Sequence, residues 1–308
     1  MCPPDARPRI DVEEATVKGR QTLPVLVILI VVCGVGGFLT RQQLDGKLDL
    51  PNIPLPALGA PECVARADGE VRLDPEQMAN AATIAAVGIS RNVPDRAVVV
   101  ALATALQESK LRNLEHLGDG NDHDSLGLFQ QRPSQGWGTA KQIMDPRHAS
   151  RRFYTSLVKV KGWQKMRVTD AAQRVQRSAY PEAYEKWADD ATVLAKVLTG
   201  QQAGGVTCDT YGEDAPGDAA TSKVLADRMK ADFGTKAKGV TFEGTAVRVP
   251  AANSKAGWQF AHWLVANAPL TGVTRVTYAD QQWSAGDRAW SSAEKVAEQV
   301  VAEAVAGG

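Results

Sequence analysis

The chain has 308 residues, in which 35 Lys+Arg balance 35 Asp+Glu and 44% of positions are hydrophobic. That length leaves room for about two domains with connectors, and the apolar content excludes wholesale disorder. A net charge of zero excludes a general binder of phosphate backbones, so no nucleic-acid partner is expected.

The first element is apolar throughout. Thr22–Leu39 reads TLPVLVILIVVCGVGGFL and contains no charge. As a helix at about 1.5 Å per residue it is roughly 27 Å long, close to the hydrocarbon thickness of a bilayer. This predicts a single transmembrane anchor. The rival reading, a cleaved signal peptide, lacks a small-x-small site after Leu39. Arg7, Arg9, Lys18 and Arg20 precede the span, against Arg41 and Lys47 after it. The positive-inside bias therefore predicts a cytoplasmic tail at 1–21, with the bulk of the chain extracellular. Of the four cysteines, Cys2 falls in the tail and Cys33 in the span. Cys63 and Cys208 remain on the oxidising side, where they read as a disulfide closing the ends of a domain. Two unpaired buried thiols are the alternative.

Residues 40–62 carry Pro51, Pro54, Pro56 and Pro61 and read as a semi-rigid stalk. A domain at 63–208 follows, then a Gly-rich linker at 209–220 and a second unit at 221–308. Asp74-Pro75-Glu76-Gln77 combines a capping acid, an early Pro and a Gln three residues on, which predicts a helix from there to about Ser90. A second helix begins near Pro94. In its stretch Ala97–Leu106 only Thr104 is not apolar, the mark of a buried helix. It ends on Gln107, Glu108 and Ser109. A turn-rich loop, Gly118–Gly127, leads to helices expected at about 147–160, 169–178 and 181–199. In the last unit, helices near 222–232, 256–267 and 291–306 surround strands at 240–249 and 274–284. The expected fold class is a mainly α domain plus a small α+β domain, behind one membrane helix.

Glu108 is the candidate for chemistry. A carboxyl at the end of an apolar helix is poorly solvated, and burial favours the protonated form that can hand a proton to a leaving group. A surface Glu on a frayed turn is the bland alternative. After Glu108-Ser109 comes Ser125-Leu126-Gly127-Leu128-Phe129-Gln130, then Gln131-Arg132-Pro133. This order of Glu-Ser, loop, Ser-x-Gly-Leu-aromatic-Gln and Pro resembles the soluble lytic transglycosylases of the lysozyme-like superfamily, over about residues 65–200.

The resemblance implies that Glu108 is the sole catalytic acid/base. It also implies that Ser125, Gly127, Leu128, Phe129 and Gln130 shape the floor of a saccharide cleft. A late Ala-Tyr-Asn-x-Gly run in that family places a Tyr on the catalytic Glu. The match here is Ala179-Tyr180, where Pro181 and Glu182 replace the following residues. Glycan strands of peptidoglycan would be the substrate, cut without an enzyme nucleophile because the sugar's own groups complete the reaction.

Among the remaining candidates, Trp137 in Gly136-Trp137-Gly138 offers a ring to stack on sugar, and Gln130 and Gln131 offer hydrogen bonds to acetamido groups. Asp124 is the candidate second carboxylate for a lysozyme-type hydrolase, against a solvated turn as the alternative. The run DGNDHD departs from the Ca²⁺-loop template. The four histidines, His116, His123, His148 and His262, do not fall at zinc-ligand spacing. No metal and no cofactor is expected.

Gly257–Trp283 resembles a carboxy-terminal domain of actinobacterial cell-wall hydrolases that look like zinc D-Ala-D-Ala peptidases. The upstream GTAVRVPAANSK has neither the His nor the Asp of their metal motif. The resemblance therefore implies a non-catalytic accessory unit in which His262 is structural. The expected function is a membrane-anchored enzyme cleaving cell-wall glycan. The alternatives are a non-catalytic glycan-binding or scaffold module that meets other envelope proteins, and a hydrolase using Asp124.

Overall fold

The helical part of the chain starts at Asp74. Its carboxylate accepts from the Gln77 backbone N–H at 3.0 Å, and the Gln77 side-chain oxygen accepts from the Asp74 N–H at 2.9 Å. Two donors that a helix start leaves open are thus satisfied locally, while Pro75 sits in the first turn, where it has no bond to lose. Helix α1 (Pro75–Ser90) follows, then α2 (Asp95–Ser109), buried from Ala97 through Leu106 as its composition predicts. The computed structural model describes residues 61–115, 123–210 and 222–304.

Next come α3 (Ala140–Ile143), α4 (Pro146–Leu157), α5 (Val168–Gln176) and α6 (Ala188–Leu198). Helix α2 is the central rod, with α1, α4, α5 and α6 packed around it. The helix expected from Pro181 begins only at Ala188, after a turn at 181–184 and a short 3-10 turn at Glu185–Trp187.

Three short strands were not foreseen. β1 (Cys63–Arg66), β2 (Glu70–Leu73) and β3 (Val206–Cys208) form an antiparallel sheet in the order β2-β1-β3. Cys63 faces Cys208 across β1 and β3, and their sulfurs are bonded, closing a loop of 145 residues. A chain carrying Cys63→Ala and Cys208→Ala is expected to lose about 2–5 kcal/mol of stability, read as a lower melting temperature.

The carboxy-terminal segment contains α7 (Ser222–Phe233), β4 (Thr241–Glu243), β5 (Ala246–Pro250), α8 (Ser254–Thr271), β6 (Val273–Ser284) and β7 (Ala289–Ala304). Its sheet is antiparallel, in the order β4-β5-β7-β6. The helix expected at 291–306 is replaced by strand β7. AWSSAEKVAEQVVAEA is rich in helix formers, but their preference amounts to tenths of a kcal/mol per residue. Pairing with β5 on one side and β6 on the other outweighs it, and Val300, Ala302 and Ala304 alternate onto one buried face. Gly257 lets α8 seat on the sheet, because a Cβ there would lie 1.9 Å from the Tyr278 ring.

One buried cluster runs through both segments, since α7 and α8 pack on α1. Asp232 of α7 lies at the junction. It accepts from Arg147 of α4 at 2.5 Å, Thr83 of α1 at 3.1 Å and Trp263 of α8 at 2.8 Å. His262 is fully buried; its Nδ1 lies 2.8 Å from the Val197 carbonyl, and its Nε2 accepts from the Gly205 N–H at 2.9 Å. Burial pushes its pKa down to about 4. The described chain is helical with two small antiparallel sheets. The expected tail, span, most of the stalk and most of the linker lie outside the described residues. Among the described residues, no helix is long and apolar enough to cross a membrane.

Candidate active site

Helix α2 stays buried to Leu106 and then surfaces, leaving Gln107 and Glu108 half-buried on its last turn. The chain leaves the helix through Lys110 and Leu111, both with positive φ. Two neutral donors meet at one oxygen of Glu108. The Tyr184 hydroxyl donates to Oε1 at 2.7 Å, and Gln176 Nε2, from the last residue of α5, donates to the same atom at 3.0 Å. Gln176 also donates to the Phe129 carbonyl at 2.8 Å, so one amide ties three elements together. Among the described residues no group bonds Oε2.

Tyr184 is buried, and that burial, together with the adjacent Glu108, raises its pKa well above the usual phenol range. It stays a protonated donor at any working pH.

The 125–131 run is fastened to the end of α2 from beneath. The buried Ser109 hydroxyl lies 2.9 Å from the Leu128 carbonyl and 3.1 Å from that of Ala105. Leu126 and Gln131 bond each other through both backbone pairs at 2.9 Å. Gly127 takes φ +71°, and a Cβ there would stand 2.9 Å from the Ile143 carbonyl oxygen. Gly127→Ala is accordingly expected to cost about 1–3 kcal/mol, measurable by denaturant unfolding.

Several side chains expected to touch ligand point elsewhere. Leu128 and Phe129 are fully buried, with Phe129 stacked on Phe153 at 4.8 Å. Gln131 is buried and donates to the Ala149 carbonyl at 3.1 Å, while Gln130 Nε2 donates to the Gly127 carbonyl at 3.0 Å. Leu128, Phe129 and Gln131 support the turn from behind, while Gln130 is half-buried at its edge. Ser125 is half-buried.

Asp124 is bound within its own loop. Its oxygens accept from Arg132 Nε at 2.9 Å, the Ser134 N–H at 2.8 Å and the Ser134 hydroxyl at 2.8 Å. Those donors, the Ser134 backbone first and Arg132 next, hold its carboxyl well below the usual range. The carboxylate is a staple for the 124–134 turn and is engaged on both oxygens. Asp119 and Asp122, the other acids of the DGNDHD run, and His116 lie outside the described residues.

The tyrosine on Glu108 is Tyr184, not Tyr180. Tyr180 is 75% exposed, and its backbone N–H bonds the Ser178 hydroxyl. The stretch SAYPEAYEKW contains Ala-Tyr twice, at 179–180 and 183–184. The second copy is the signal that sequence reading passed over. Gln176 had no comparable signal.

Trp137 is half-buried, and its carbonyl lies 3.2 Å from His148 Nε2. Trp137 lines a cavity of about 640 Å³ that Gln176 also lines. The open space thus reaches the residue that holds Glu108. Among the described residues, no group of three or more His, Cys, Asp or Glu is placed to hold a metal ion. No protein-family model and no curated protein matches this chain.

Proposed function

We propose that the protein is a lysozyme-like enzyme that cleaves the glycan strands of peptidoglycan, with Glu108 as its acid/base. The observation that carries this reading is the asymmetry at Glu108: Oε1 is fixed by Tyr184 and Gln176, and Oε2 has no partner among the described residues. A carboxyl fixed at one oxygen presents the other in a constant position, which is what proton transfer to a substrate oxygen requires.

The chemistry balances with this one group. Protonated Glu108 gives its proton to the bridging oxygen, the C1–O bond breaks, and positive charge develops at the sugar's C1. The resulting carboxylate then takes the proton of the sugar's C6 hydroxyl as that oxygen closes on C1, which restores the acid. The product ends in a 1,6-anhydro sugar. A hydrolytic route through Asp124 has less support, because both Asp124 oxygens are held by Arg132 and Ser134.

In the same reading the segment 22–39 anchors the protein in the cell membrane, and the described residues face the wall outside. Contacts with other envelope proteins would be made there, and the carboxy-terminal segment acts as a non-catalytic accessory. The test is digestion of purified sacculi by the full chain, with mass spectrometry of the released ends. Anhydro ends are expected. Reducing ends would indicate a hydrolase, and binding without any release would indicate a glycan-binding module.

A further inference from the structure

The cavity that reaches Gln176 adjoins a second one of about 760 Å³, and the two share Val160, Arg174 and Arg177 on their walls. Together they form a groove along the outer side of α4 and α5. Its walls carry four cations, Arg152, Lys159, Arg174 and Arg177, against one anion, Asp170. That anion is already paired with Arg167 at 2.9 Å. Among the described residues, none of the four cations has a carboxylate within salt-bridge distance, and Arg152 is steadied instead by the Gly136 carbonyl at 2.8 Å.

Four like charges along one groove repel each other in the empty protein. Neutral sugar hydroxyls give no return for that arrangement. Carboxylates do, because a guanidinium presents paired N–H groups that match a carboxylate's two oxygens. Trp137 is part of the lining, and Gln176 joins the groove to Glu108.

We infer that this groove binds the carboxylates of the peptide stems carried by the glycan, so that the enzyme selects stem-bearing strands over bare neutral ones. The inference rests on the reading of Glu108 as a glycan-cleaving acid, and it adds the part of the substrate that is recognised. Arg174 and Arg177, three residues apart at the end of α5, form its centre. Arg152 and Lys159 face them from α4 and the turn after it.

The test separates recognition from cleavage. The full chain carrying Glu108→Gln is titrated by calorimetry with three ligands. These are a disaccharide-tetrapeptide with free carboxylates, the same molecule with those carboxylates amidated, and neutral chitotetraose. The free acid is expected to bind about tenfold more tightly than its amide at low salt, with the gap closing as ionic strength rises.

Arg174→Gln with Arg177→Gln is expected to erase the gap and leave chitotetraose binding unchanged. Both arginines are exposed, so the melting temperature reports whether the fold survives. Should that pair not fold, Arg152→Gln with Lys159→Gln serves the same purpose. Equal affinity for acid and amide, a gap that persists in the variants, or no binding of any of the three ligands would overturn the inference. Failure of the Glu108 chemistry itself would show separately, as absence of release from sacculi by the unaltered chain.

Discussion

Glu108→Gln is expected to slow glycan cleavage by roughly 10²–10⁴-fold while leaving the melting temperature where it was. The amide keeps a carbonyl oxygen to receive the Tyr184 hydroxyl and the Gln176 amide, which now meet at Oε1 from 2.7 and 3.0 Å. It fills the same volume at a half-buried site. What it lacks is a transferable proton. The loss therefore belongs to chemistry and not to packing, and it is read as soluble fragments released from sacculi over time. Equal release by the variant and the unaltered chain would remove Glu108 from the mechanism.

Arg147→Ala is expected to destabilise the fold by about 3–5 kcal/mol. Asp232 is almost wholly enclosed, and among the described residues Arg147 is the only one of its three hydrogen-bond donors that carries charge. Removing the guanidinium leaves a carboxylate shut away from water with two neutral donors. The Asp232 charge also acts on Arg228, whose own hydrogen-bond partner is the Asn267 side-chain oxygen at 3.0 Å.

The penalty depends on pH in a definite direction. Burial raises the Asp232 pKa above its ordinary value even with Arg147 in place. A carboxyl with a raised folded-state pKa favours the fold at low pH, and loses that contribution as pH rises through the folded value. Without Arg147 the pKa rises further, so the variant's deficit is greatest at neutral pH and shrinks on acidification. Thermal unfolding at several pH values checks both size and trend. A deficit that grew toward acid would contradict this account of Asp232.

Local chemistry announces itself in this sequence, and distant pairing does not. The Asp74–Gln77 cap and the apolar run from Ala97 fix α1 and α2 because the groups that decide them lie within a turn or two. Strand β7 reads as a helix because Ala, Glu and Lys prefer one, and the partners that override them come from β5 and β6. The short strands at Cys63 and Val206 give no periodic signal, because each is three or four residues long and meets its neighbour across nearly the whole first segment. The site divides the same way. Glu108 and the 125–131 turn are visible as a run of residue types. Gln176 and Tyr184 reach Glu108 across 68 and 76 positions, a separation that no spacing rule covers. Several residues in the visible run prove to brace the turn, since residue type indicates where a side chain belongs in a pattern and not which way it faces.

Helix α1 belongs equally to both halves of the described chain, with α2 and α4 on one flank and α7 and α8 on the other. Severing the backbone between residues 210 and 222 would therefore divide the polypeptide without dividing the particle. The disulfide lies entirely on one side of such a break, so the fragments would cohere through their common interior alone. Either half produced by itself would turn an oily flank of α1 or α8 to water and to its own copies. The carboxy-terminal portion is in that sense a wall of the molecule, and trimming it away would cost the rest its shape.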